Sequence, residues 1–511
     1  MPARLVRGRY VVTGARGRAA TVVENGAVLV RDGVVAEVGP FAALAGRSGP
    51  GEVLGSPDHV VIPGLVNAHH HVGLTPVQLG VPDAPLELWF ITRLAGRDVD
   101  PYLDTLYSAF EMLGSGVTTV QHIFGWARGG IPATAERIGR ILAAYADVGM
   151  RVSFALGVRD QNFLSYEPEG ELLARLPPAL ASRLAALLAD LRTPLAAQLD
   201  LFADLQATYH GRPRSRIQLA PGNLHWCSDP ALAAIRDRAD RAGALLHVHL
   251  VETAYQKEYA RRRTGGSALR HLHHLGLAGP RLTLGHATWL DEDDVALAAE
   301  AGVHVCHNVS SNLRLRSGVA PLTAFLRRGL NVAIGIDEAG INDDRDMLQE
   351  MRLVFHQHRL PGMDEEAPAA AEVLAMASRN GALTTPFGES IGTLEPGRAA
   401  DLVLLRWSHI AAPYLDPAMP PVDALLYRAT AAAVDTVLVA GEPVLRDGRV
   451  VRVDRDAVLR DLAASLARPL EPHERERRAL ARDLLPHVRR FYDRYWDPGA
   501  HEPYYRRNSR R

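Results

Sequence analysis

Three histidines stand in a row in NAHHHVG (67–73), directly after the apolar run VVIPGLV. In a strand, successive side chains point to opposite faces, so His69 and His71 share one face and His70 takes the other. Two imidazoles on one face at the end of a strand are placed to chelate. Other apolar segments end in residues of the same kind: His249 in HVHL, His286 in LTLGH and Asp337 in AIGID. Imidazoles and one carboxylate converging from such ends would make a site for zinc or iron. The H-x-H spacing alone is weak, because it occurs four times. His271/His273 and His356/His358 fall in helical stretches and read as ordinary histidines, while His247, one layer deeper than His249, reads as a hydrogen-bonding residue. Glu252 follows His249 by three residues, a spacing that sets a carboxyl beside a metal as a proton shuttle.

These side chains need elements that bring them to one place. Short apolar strands are expected at 61–70, 117–122, 151–156, 216–221, 244–250, 281–286, 303–307 and 331–337, with helical runs such as DPALAAIRDRADRAG and DEDDVALAAEAG between them. Eight alternating units predict an α/β fold, a (β/α)8 barrel over 61–395, whose catalytic groups sit at the C-terminal ends of the strands. The longest gaps, between strands 1 and 2 and between strands 3 and 4, are expected to lie over that face. Residues 1–60, with turns at Asn25-Gly26 and Asp32-Gly33, and residues 396–455 both read as Val/Leu hairpins. They are expected to form one small β-sandwich from both chain ends, with the barrel inserted between them. Residues 456–511 read as a helical extension packed on the barrel, with Phe491, Tyr492, Tyr495 and Trp496 as the alternative seed of a subunit contact and the terminal arginines as a solvated end.

Composition excludes several classes of function. A formal net charge of −1 gives no general attraction to nucleic acid or anionic membrane, and no apolar stretch is long enough to span a bilayer. Two cysteines, Cys227 and Cys306, cannot build a disulfide framework and suit a reducing cytoplasm. They also cannot supply the P-C-x-x-C motif of another zinc-deaminase architecture.

Several segments in register carry a resemblance: VIPGLVNAHHH, LELWF, EMLGSGVTTV, HVHLVET, GH at 285–286, HNVSSNLRLRSGVAPL, GID at 335–337 and GTLEPGRAADLVLL. Up to about residue 455 the chain resembles the amidohydrolase superfamily, in its branch of heterocycle deaminases and triazine chlorohydrolases. The resemblance implies that His69, His71, His249 and Asp337 are metal ligands, that Glu252 is the acid/base residue, and that His286 holds the attacking water while Asp337 takes its proton. It implies one divalent metal, zinc or else iron, and deamination of an aminated nitrogen heterocycle with release of ammonia. Hydrolysis of a C–Cl or amide bond at the same site is the alternative, and a non-catalytic scaffold the reading from another class. Relatives suggest a homodimer. The chain departs from the family pattern in GVRDQN, GNLHWCSD and DEAGINDDRD, which makes Arg159, Gln161, Asn223, His225, Trp226 and Glu338, with His122, the candidates for contacting the substrate. Two-metal relatives are bridged by a carboxylated lysine from strand 4, but RIQLAP has none and Lys257 is the only lysine in the chain. Elemental analysis of the purified protein is therefore expected to give one equivalent of metal per chain; two equivalents would refute the single-metal reading.

Overall fold

The structure, a computed structural model, describes residues 3–47, 51–125, 128–359, 363 and 367–497. Eight parallel strands form the central barrel. They are β1 (Leu65–His70), β2 (Val117–Phe124), β3 (Arg151–Val158), β4 (Ser215–Pro221), β5 (Leu246–Leu250), β6 (Leu282–His286), β7 (His304–His307) and β8 (Asn331–Ile334). Each pairs with the next in order. The ring closes between its last and first members, where the Asp337 amide donates to the His69 carbonyl at 2.8 Å. Asn67 reinforces that seam, its Oδ1 accepting from the Ile336 amide at 3.0 Å. Strands covered on both faces read as near-continuous apolar runs, and all eight residues of β2 are buried.

Inside the barrel, Gln121, Ser153 and Gln218 hydrogen-bond across β2, β3 and β4. Two residues further along the same strands, Ile123, Ala155 and Ala220 pack as a small cluster. Gly157 and Gly222 follow on β3 and just past β4, and both line the open cavity. The side chains shrink toward the C-terminal face, and the shrinkage leaves room for a ligand.

The run at 61–70, read from sequence as one strand, is divided. His59–Pro63 belongs to an outer sheet and Leu65–His70 to the barrel. Gly64 makes the crossing in a place where a Cβ would collide with the Thr118 side chain. The outer sheet runs in the order Arg449–Val450, Glu442–Arg446, Val434–Val439, Leu402–Arg406, His59–Pro63, Tyr10–Arg16 and Ala19–Glu24. A second sheet has the order Val34–Pro40, Gly26–Arg31, Arg4–Arg7 and Glu52–Gly55. Val6, Val28 and Val30 of the second sheet pack on Val11, Val61 and Leu404 of the first, so the two chain ends share one sandwich core. Asn25 and Asp32 adopt φ of 45° and 50°, the left-handed turn geometry that Asn-Gly and Asp-Gly favour.

Six helices bear on the site: α1 (Leu86–Thr92) in the first long gap, α2 (Gly130–Val148), α3 (Pro178–Leu191) in the second long gap, α4 (Val309–Arg314), α5 (Met347–Gln357) and α6 (Pro472–Tyr492). The tail helix α6 sets Leu480, Leu484 and Val488 in a core shared with Leu88 and Ile91 of α1 and Leu184 of α3. It packs on the two gap helices of its own chain. The terminal arginines lie outside the described residues. Among the described residues no helix is long and apolar enough to cross a membrane.

Gly335, just past β8, sits where a Cβ would overlap Asn308 Oδ1 and the Cβ of His69. Gly335→Ala is expected to cost ~1–3 kcal/mol by overpacking, read as a lower thermal midpoint, and to reduce metal content in the same preparation.

Candidate active site

His69 and His71 turn their rings into the barrel mouth, with Nε2 atoms 3.0 Å apart. His249 brings its Nε2 to 3.2 Å from that of His71. Asp337 Oδ1 lies 3.2 Å from His71 Nε2 and 3.6 Å from His69 Nε2. Donor atoms bonded to one tetrahedral or five-coordinate ion at ~2.0–2.2 Å stand ~3.0–3.6 Å from one another by simple geometry. The separations among His69, His71 and Asp337, and between His71 and His249, match that spacing.

The far sides of the rings sharpen the fit. His71 Nδ1–H donates to the Ile123 carbonyl at 2.7 Å, and His249 Nδ1–H to the Gly222 carbonyl at 2.9 Å. A carbonyl can only accept, so in both rings Nδ1 carries a proton and the Nε2 atoms that face each other are the ones left to meet a cation. Two lone pairs at 3.2 Å repel unless a cation lies between them, and an outer N–H on a backbone carbonyl is how ligating histidines are held. His69 Nδ1 is bonded to His247 Nε2 at 2.9 Å, so His247 supports a neighbour from one layer below. Burial, then neighbouring imidazoles, holds His69 and His249 well below the usual imidazole range. Burial would raise Asp337, but its contact with His71, the attraction of His286 and the Ser311 hydroxyl hold it well below the usual carboxylate range. Against burial, the same contact raises His71, so a cation is favoured between them. The residues present suit a divalent metal.

His286 lies at the rim of this group, and its Nε2 could join His69 and His249 around one ion. Asn312 Oδ1 accepts from its Nδ1–H at 3.0 Å, and Asn308 Nδ2 donates to its Nε2 at 3.3 Å. The ring is thus neutral and its Nε2 basic. Ser311 Oγ–H donates to Asp337 Oδ2 at 2.5 Å, leaving Oδ1 toward the histidines. Asn308, Ser311 and Asn312 come from α4 and its cap, spaced so that they share a helix face. The Ser310 amide at the start of that helix donates to the buried Glu350 of α5 at 2.9 Å. HNVSSN is conspicuous in the sequence, but its separate roles become visible only with the helix in place.

Glu252 is 3% exposed, with one oxygen 3.7 Å from His286 Nε2 and the other accepting from Ser317 Oγ–H at 3.3 Å. Burial first, and then the charges of Asp337 and Glu87, push its carboxyl well above the usual range. The shift favours its protonated, neutral form. Glu87 of α1 is another buried carboxyl, accepting from the Tyr166 hydroxyl at 3.0 Å and from Thr253.

These groups open on a cavity of about 330 Å³, within the size range of small-molecule sites. Arg159, Asn223, Trp226 and Glu338 line it. His122 also borders it, but its Nδ1 lies 2.9 Å from the Tyr145 hydroxyl and its ring stacks on Phe154, both in the outer helix-packed core. The imidazole therefore points away from the mouth, like that of His70, whose ring it meets at 5.4 Å. His225 is packed against Tyr166 and Trp226 behind the wall, and Gln161 donates to the His225 carbonyl at 3.1 Å. Neither is among the residues lining the cavity. Sequence reading passed over Trp89, Phe90 and Arg477, which do line it.

A closed parallel barrel with histidines, a carboxylate and a buried glutamic side chain gathered at one rim defines a metal-assisted hydrolase. The model of the amidohydrolase family matches residues 60–444. A 5-methylthioadenosine/S-adenosylhomocysteine deaminase of Nitratidesulfovibrio vulgaris is 32% identical over 89% of this chain and 95% of its own. A zinc-bound adenosine deaminase from Xanthomonas campestris superposes with a TM-score of 0.76 at 27% identity, over 94% of this chain and 98% of that one. Atrazine chlorohydrolase from Arthrobacter aurescens TC1 shares the fold, with a TM-score of 0.76 at 23% identity over 90% and 99% of the two chains. The chain belongs to the amidohydrolase family and is a hydrolase of carbon–nitrogen bonds.

Chelation is expected to lower the thermal midpoint, since a metal held at 100-fold above its Kd stabilises by ~2.7 kcal/mol. His249→Ala is expected to purify without metal and to melt at the same temperature with or without chelator.

Proposed function

We propose that this chain deaminates a 6-aminopurine nucleoside, with His69, His71, His249 and Asp337 holding one zinc ion. The observation that carries the reading is Glu252, a buried carboxyl on the cavity wall, 3.7 Å from His286 and shifted toward its protonated form. Hydrolytic deamination needs such a group, because addition at an amino-bearing ring carbon leaves charge on the adjacent ring nitrogen. The names of the relatives support an adenosine-type substrate. Glu338 has its charge paired with Arg93, so this acid at the mouth does not argue against such a substrate. Histidine-rich ligation and the zinc in the Xanthomonas enzyme support the choice of metal.

When bound, the metal supplies Lewis acidity that makes water nucleophilic at neutral pH. The protein's own groups do the rest. His286, its Nε2 kept basic by the Asn312 contact, orients the water. Asp337 takes the water proton while the oxygen bonds to the ring carbon. Glu252 gives its proton to the adjacent ring nitrogen, and the proton on Asp337 passes to the amine. The carbon–nitrogen bond then breaks, ammonia leaves, and Glu252 recovers a proton from the new hydroxyl as the carbonyl forms. Trp226 and Phe90, 5.1 Å apart, give the wall an aromatic surface for the ring. Glu338 Oε2 is buried without a partner among the described residues and would accept from a sugar hydroxyl. A homodimer is kept as part of this proposal, with sedimentation as its measure.

The test is ammonia release from aminopurine nucleosides, aminopyrimidines, pterins and aminotriazines, with metal measured on the same sample. Adenosine-type substrates are expected to lead, and chloride release from a chlorotriazine without ammonia from any amine would overturn the proposal. Glu252→Gln should retain one metal and lose turnover by ~100-fold or more. Near-normal activity in that variant would remove Glu252 from the mechanism.

A further inference from the structure

The cavity that receives the reacting ring is also lined by six arginines: 93, 97, 128, 137, 159 and 477. Outside the metal cluster and Glu252, the carboxylates on its wall are Asp98, Asp104 and Glu338. Those three are already engaged. Glu338 pairs with Arg93. Asp104 accepts from the amides of Gly73 and Leu74 at 3.0 and 2.6 Å. Asp98 is shared between Arg128 at 2.8 Å and Arg477 at 2.9 Å. One carboxylate between two guanidiniums leaves a positive remainder, and Arg97 and Arg137 add to it.

Arg477 comes from α6, outside the barrel sequence. The side chain is 10% exposed and borders the cavity, donating to the carbonyls of Leu94 and Gly96 at 3.3 and 3.0 Å. Burial, and then the Arg128 charge, hold its pKa below the usual guanidinium value, so a further anion nearby would be welcome. A guanidinium cluster in the wall of a cavity suits a carboxylate or phosphate through charge-assisted paired hydrogen bonds.

We propose that Arg128 and Arg477 form a subsite for an anionic substituent of the substrate, at the end away from the reacting ring, and that the tail helix helps set substrate choice by supplying Arg477. This rests on the deaminase reading above and narrows it to nucleosides carrying a carboxylate or phosphate.

The test compares adenosine, adenosine 5′-monophosphate and adenosine 5′-carboxylate as substrates of the full-length, metal-loaded protein. At least one anion is expected to exceed adenosine in kcat/KM by ~10-fold or more, mainly through KM, with the advantage shrinking as salt rises. Preference for one anion over the other assigns the subsite to phosphate or to carboxylate. Arg477→Gln should cut the ratio of anionic to neutral kcat/KM by ~10-fold, and Arg477→Lys should keep most of it. Arg128→Gln gives the same reading if the first variant does not fold. Adenosine turned over faster than both anions, or a ratio unchanged in the glutamine variants, overturns the subsite and leaves the deaminase reading standing. No ammonia from any of the three overturns the deaminase reading, and the subsite with it.

Discussion

Two imidazole nitrogens aimed at each other, which only a cation can hold together, form the constraint on which the site depends. Each is held that way from behind, because the outer N–H of His71 and of His249 is committed to a backbone carbonyl of a neighbouring strand. The tautomers are therefore written into the register of the barrel: Ile123 lies on β2, and Gly222 follows β4. A slip in either pairing would release the N–H and let the ring turn over. Backbone pairing and metal chemistry are one structural problem here.

The backbone bends sharply where the strands deliver these groups. Val251, His286, Ala287 and Asp337 all have positive φ, between 42° and 68°. Such geometry is uncommon for residues with side chains, and in a β-branched valine it is strained. It occurs where β5 and β6 end and just past β8, where the chain must turn a side chain inward and still leave the strand. The surroundings hold it in place. Arg345, with no exposed surface, donates to the carbonyls of Val72 and Gly73 behind His71, and the Asp337 amide is spent on closing the barrel.

Much of this was legible in the sequence because strands have a period of two and end in recognisable places. The alternation that separates His70 from His69 and His71 is the one the structure shows, and the residues singled out at strand ends are those the fold gathers. Asp337 is the exception in detail: β8 stops at Ile334, and the carboxylate arrives on the turn that follows. His122 illustrates the limit. It too stands near a strand end, but Gln121 and Ile123 take the inward positions of β2, and only the register decides that. His225 and Gln161 lie on loops, where no periodicity governs direction. Arg477 had no local signal at all, since a tail helix can be recognised as amphipathic without revealing which loop it will cover.

The sandwich has a topological consequence. Its strand His59–Pro63 lies between Tyr10–Arg16, made just before it, and Leu402–Arg406, made after the whole barrel. During synthesis the N-terminal hairpins must wait for the far end of the chain, with Val60 and Ile62 presented along an unfilled edge until it emerges. Such an edge invites adhesion to other nascent chains. Once the late strand docks, it ties the N-terminal strands to the segment that follows the barrel, so a break ahead of Leu402 would loosen a layer that the ribosome laid down first.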